Sequence, residues 1–173
     1  ERGQRRALEA IYLEARGLVR KLSLSNPLLD FDDLLFATSA PGRWSHMSDQ
    51  YLGWWSQPGG ALCVLENFKS DQPKIRTLTT SFAPGNVLRP DLSYDAGKVL
   101  FAYCLYYPHV AAVKDKTLRE ELPEDSFYHL YEMNTDGSGL VQLTFGSELT
   151  DIDPIYLPDG RILYTSTRDP KNC

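Results

Sequence analysis

The chain has 173 residues, enough for one domain, or for one domain and part of another. Apolar residues make up 42% and aromatics 12%, which excludes a solvated, disordered tail and supports a packed core. A net charge of −5 excludes a general basic nucleic-acid face, and no apolar run approaches the ~20 residues of a membrane span. The charged start Glu1-Arg2-Gly3-Gln4-Arg5-Arg6 has no signal-peptide pattern.

The first element is a helix ending at about Leu24. Leu8, Ile11, Ala15, Leu18, Val19 and Leu22 recur at spacings of three and four and form one apolar stripe. Arg and Glu fill the other face. Asn26-Pro27 stops the helix, because the residue before proline disfavours helical dihedrals. Residues 1–27 are read as an N-terminal helical segment that packs onto a larger body.

From residue 28 to 173 the chain reads as short β-strands, expected near 33–38, 61–67, 74–80, 87–93, 98–104, 127–133, 139–144, 152–157 and 161–167. They repeat at a period of about 65 residues. Leu34-Leu35-Phe36-Ala37-Thr38 aligns with Val99-Leu100-Phe101-Ala102-Tyr103 and with Ile162-Leu163-Tyr164-Thr165-Ser166. Leu62-Cys63-Val64-Leu65-Glu66 aligns with Tyr128-His129-Leu130-Tyr131-Glu132, Thr77-Leu78-Thr79 with Gln142-Leu143-Thr144, and the stretch from Pro90 with that from Pro154. Each unit then holds four antiparallel strands, a to d, with Asp-Gly turns at Asp136-Gly137 and Asp159-Gly160. Such units in tandem make an all-β fold, a partial β-propeller of about two and a half four-stranded blades preceded by the helix. Closure needs at least four blades, so other blades or subunits are expected to complete the fold.

The stretch Asp151-Ile152-Asp153-Pro154-Ile155-Tyr156-Leu157-Pro158-Asp159-Gly160-Arg161-Ile162-Leu163-Tyr164 resembles the TolB-type propeller repeat, as does Leu130 to Gly139 followed by Gln142-Leu143-Thr144. Ser45-His46-Met47-Ser48-Asp49-Gln50-Tyr51, then Pro58-Gly59-Gly60 and the strand from Leu62, is similar to the propeller of hydrazine-synthase alpha-subunit-like bacterial proteins. That resemblance implies a secreted or periplasmic protein. It also implies a haem c pocket supplied by other sequence, to which this chain lends residues. No CxxCH occurs here, so no cofactor is assigned to the chain itself.

Both complete units carry a long insertion between strands b and c. In a propeller the b–c loops rise on one face, where a rigid scaffold usually displays its working residues. The first insertion holds His46, Asp49, Tyr51, Trp54 and Trp55, and the second holds Tyr107 and His109. These seven are the candidate ligand-binding residues. Their planar rings and imidazoles suit a polar or planar partner. Aromatic-rich insertions also fold back to bury their own surface, which competes with the binding reading. Residues 116–121 could form a short helix, and His129, within a strand, reads as structural. Cys63 and Cys104 are expected unbridged, with Cys173 the residue offered toward a bridge or metal outside the chain. HExxH, CxxC and Gly-x-Ser-x-Gly are all absent. The expectation is a scaffold or binding module without catalysis of its own.

Overall fold

The computed structural model describes residues 2–40, 57–112 and 122–168. Helix α1 (Arg2–Leu24) is followed by β1 (Leu34–Thr38), β2 (Ala61–Glu66), β3 (Lys74–Thr77), β4 (Gly85–Leu92) and β5 (Lys98–Leu105). A short helix α2 (Pro108–Ala112) and a 3-10 turn (Glu124–Ser126) precede β6 (His129–Asn134), β7 (Val141–Gln142), β8 (Asp151–Tyr156) and β9 (Ile162–Ser166). The strands form three antiparallel sheets, ordered β1-β2-β3, β4-β5-β6-β7 and β8-β9, and they do not close. Every strand expected from the sequence is present. The expected helix at 116–121, the three tryptophans and Cys173 lie outside the described residues.

The chain divides into two compact units. One combines 1–34 with 65–74. Its helix α1 ends where the Ser25 hydroxyl donates to the Leu22 carbonyl (2.7 Å) and Asn26 Oδ1 accepts from the Leu28 N–H (3.0 Å), a local turn that Pro27 enforces. Phe68 stacks on Phe31 at 5.3 Å, and its N–H donates to the Asp32 carbonyl. Arg20 of α1 donates to the carbonyls of Phe68 and Ser70.

The other unit, 35–64 with 75–173, holds the core. Strand β5 is buried from Val99 to Cys104. Alternate side chains point to opposite faces of a strand, so β5 feeds two cores. Val99, Phe101 and Tyr103 pack with Leu62, Val64, Leu78 and Val87, joined by Leu35 and Ala37. Ala102 and Cys104 pack with Tyr128, Leu130, Ile152 and Ile162. The facing repeats from sheet to sheet: Leu35 and Ala37 of the first sheet look toward the second, as their equivalents Leu100 and Ala102 look away from the first. Phe101 is fully buried, Phe36 half-buried, and Tyr164 remains 36% exposed. The three aligned residues share a strand position and differ in what covers them.

Hydrogen bonds repeat with the sheets. Thr79 Oγ1 accepts from the Leu62 N–H (3.2 Å), and Thr144 Oγ1 accepts from the Leu130 N–H (3.0 Å). Leu78 and Leu143 donate to the carbonyls of Leu62 and Leu130. Leu62 is thus the counterpart of Leu130, not of Tyr128 as the residue patterns had aligned them. The Leu-x-Glu and Tyr-x-Glu runs are alike in composition, but the ladder position is set by the threonine. A two-residue slip keeps every side chain on its face, so apolar patterning cannot detect it.

The a–b turns also correspond. Asp95 Oδ1 accepts from Gly97, as Asp159 Oδ1 accepts from Arg161. Ala96 (φ 57°) stands where Gly160 (φ 84°) stands in the next copy. A Cβ is costly in this left-handed region. Ahead of each turn, β4 and β8 bulge at the residue before proline, Arg89 and Asp153, both at positive φ. Arg89 Nε lies 3.0 Å from Asp153 Oδ1, and Asp91 Oδ2 accepts from the Tyr156 N–H (2.8 Å), so neighbouring sheets are tied through their a strands.

Two stability outcomes follow and are read by denaturant unfolding. Phe101→Ala should lose about 3–5 kcal/mol, because the ring is packed on all sides. Ala96→Gly should gain about 0.5–1 kcal/mol by relieving the left-handed strain. A loss at Ala96→Gly would mean that the turn relaxes out of that conformation in solution.

Candidate functional site

Antiparallel register brings the ends of several strands together. Leu105 pairs with Gly85, Tyr103 with His129, and Asp151 with Ser166, while the Asp151 N–H donates to the Tyr128 carbonyl. The start of β4, the end of β5, the start of β6 and the start of β8 therefore share one end of the sheets. The described parts of the b–c connection, 106–112 and 122–128, leave and return at that end.

The described part of that connection builds a small core of its own. Val110, Leu122 and Phe127 are buried together, with Tyr107 packed against them. Pro108 opens α2, and the helix turns Val110 inward while His109 stays exposed. The Tyr107 hydroxyl donates to Asp125 Oδ1 at 2.8 Å, and its ring lies 5.5 Å from the His109 ring, tilted by 58°. Burial first, and then the Asp125 carboxylate, raise the Tyr107 pKa above its ordinary value. Tyr107 is thus a fixed hydrogen-bond donor to a carboxylate, beside an accessible imidazole. Self-packing and display coexist here: one face of the loop half-buries Tyr107 against Val110, Leu122 and Phe127, and the other presents His109.

Beneath the loop lies a set of buried polar groups. Asn86 Nδ2 donates to the Tyr128 hydroxyl (2.8 Å), with Cys104 across the strand pair from Asn86. Burial pushes the Tyr128 phenol well up, the Cys104 thiol adds to it, and the Asn86 amide opposes. Gly60 is required opposite: a Cβ there would fall 2.0 Å from Asn86 Oδ1. His129 is buried, and its Nε2 meets the Glu124 carbonyl at 3.2 Å, in keeping with a structural role. Asp151 is fully buried and takes Arg168 Nη2 on Oδ2 at 2.6 Å. Asn86 Oδ1, His129 Nδ1, Thr150 Oγ1 and Asp151 Oδ1 are buried without a hydrogen-bond partner. All four lie at the loop end. Asn86 and Thr150 occupy equivalent positions, since Asn86 pairs with Cys104 as Thr150 exchanges hydrogen bonds with Thr167. A fifth such atom, Asp153 Oδ1, contacts Arg89 as an ion pair without hydrogen-bond alignment.

Of the seven candidate residues, Tyr107 and His109 are brought together here. His46, Asp49, Tyr51, Trp54 and Trp55 lie outside the described residues. Asn86, Asp125, Tyr128 and Asp151 complete the cluster. Asn86 and Thr150 carry one sequence signal, a polar residue four positions before an aligned proline. Asp125 carries none. Among the described residues, no three His, Cys, Asp or Glu side chains converge as metal ligands. Cys63 and Cys104 are both buried and unbridged.

At the opposite end, the Tyr156 hydroxyl donates to Glu132 Oε1 (2.9 Å), and Lys98 pairs with Glu132 Oε2 at 2.6 Å. Those groups are satisfied and tie the second sheet to the third.

The raised phenols give a pH outcome. A phenol whose folded pKa exceeds its ordinary 10.0 contributes stability that is full below that value and lost as pH rises through the folded pKa. Denaturant midpoints should hold flat up to about pH 9 and fall above about pH 10. Tyr128→Phe should shallow that alkaline slope. An unchanged slope would place the titrating group elsewhere.

No protein family matches the chain, and no curated protein matches it. Among solved structures it is similar to Kuenenia stuttgartiensis hydrazine synthase, at 23% identity and a TM-score of 0.44 over 72% of this chain. The chain spans 13% of the length of that protein.

Proposed function

We propose that the chain is part of a β-propeller scaffold of the TolB type, and that its working surface is the loop end of the sheets. It is a binding module there, without catalysis of its own. One observation carries the reading: among the described residues, four of the five buried polar atoms left without a hydrogen-bond partner gather at that end, at Asn86, His129, Thr150 and Asp151. Folded proteins pair nearly all such groups, with protein, ordered water or an ion, so a gathering of exceptions calls for an explanation, and we assign it to a bound ligand. Among the described residues, the opposite end, with Glu132 shared by Tyr156 and Lys98, shows no such unpaired atom.

The ligand suited to this end is planar and polar. Tyr107 and His109 offer ring faces and an imidazole, and Asp125 lies beneath. A secreted or periplasmic setting, with further blades or subunits completing the ring, belongs to the same reading.

The test is a titration of the full chain with a fragment set of planar heteroaromatic acids and amides, followed by amide NMR shifts. Shifts should gather at 105–112, 122–129 and 149–151, and His109→Ala with Tyr107→Phe should weaken them at least about five-fold, the value of one or two lost contacts. Shifts gathered at the turns 93–97 and 157–161, or no shifts at all, would overturn the reading.

A further inference from the structure

Helix α1 meets its own unit through its polar side. Arg20 donates to the carbonyls of Phe68 and Ser70. Gly17, Arg20, Lys21 and Leu24 wall a hollow of about 280 Å³ with Lys69 and Asp71. The apolar stripe faces the other way. Leu8, Ile11, Tyr12, Leu18, Val19 and Leu22 are each between 56% and 77% exposed. Scattered exposed apolar residues are ordinary, but a continuous stripe along a helix marks an interface.

The stripe is a two-heptad seam. Leu8, Ile11, Ala15, Leu18 and Leu22 alternate at spacings of three and four, the a and d positions of a coiled coil. Tyr12 and Val19 then fall at e, and Glu14 and Lys21 at g. We propose that α1 pairs with α1 of a second copy, antiparallel about a two-fold axis. In the register that sets Ala15 against Leu18 of the second copy, Ile11 meets Leu22 and Tyr12 meets Val19. Glu14 then meets Lys21 of the second copy, and the two-fold axis makes each contact twice. Charge and apolar pattern thus select one arrangement. A parallel pair would set Glu14 against Val19 and leave both g charges unmatched. Ala15 at the centre lets the helices approach closely. An anionic lipid surface is the competing occupant, and it is disfavoured by Glu14 on the border of the stripe.

Sedimentation velocity of the full chain from about 1 to 100 µM, where weak helix-pair dimers dissociate, tests this. A reversible dimer is expected. Leu18→Lys and, separately, Ile11→Lys should weaken it at least about 100-fold with unchanged circular dichroism, since each loses two buried contacts. Glu14→Lys and Lys21→Glu should each weaken it about ten-fold, and the double swap should restore it to within about three-fold, because attraction at both pairs returns. Three results overturn the proposal: a monomer throughout, including one that instead sediments with phosphatidylserine vesicles; a dimer indifferent to both Leu18→Lys and Ile11→Lys; and a double swap that fails to restore.

Discussion

Strand β5 is apolar on both faces, and most of the fold follows from that. A strand with one polar face can rest on a single layer. Val99, Phe101 and Tyr103 on one side, with Ala102 and Cys104 on the other, require a sheet against each. Burial contributes about 25 cal/mol for each Å² of apolar surface removed from water, set against the entropy of ordering the neighbours. The first sheet supplies Leu62, Val64 and Leu78, and the third supplies Ile152 and Ile162. Sheets then stack in sequence order, each presenting one face backward and one forward. The same alternation makes Leu100 buried and leaves its counterpart Leu163 56% exposed, on the face that the described sheets do not cover.

The two ends of the stack divide their tasks. At the turn end, charges and hydroxyls find one another: Lys98 and Tyr156 share Glu132, and Asp91 reaches the backbone of Tyr156. At the loop end, Asp151 and Asn86 each use only part of their hydrogen-bonding capacity. Burial there raises the cost of every unmade bond. The apolar layers beneath that end carry the fold.

Much of this was legible in the sequence. The strands were readable because alternation and Asp-Gly turns are local signals, and the repeat because several runs share one spacing. The helix end at Pro27 was equally local. The register of β2 against its counterpart was not legible, because sliding by two leaves the apolar pattern unchanged and the deciding atom is one threonine hydroxyl. In the candidate site, Tyr107 and His109 were found by their position between strands b and c. Asp125 and Tyr128 were not, since their partners, Tyr107 and Asn86, come from distant parts of the chain. Hydrogen bonds that span such separations leave no pattern in neighbouring residues.

The threonine hydroxyls that hold the outer strands have one more consequence. Thr79 and Thr144 take positions where a main-chain carbonyl would otherwise continue the ladder, and β7 is only Val141–Gln142 long. An outer strand this short, anchored partly through a side chain, gives another chain little backbone to zip onto. Exposed sheet borders usually invite edge-to-edge clumping. Here the β3 and β7 borders are made poor templates for fibril growth.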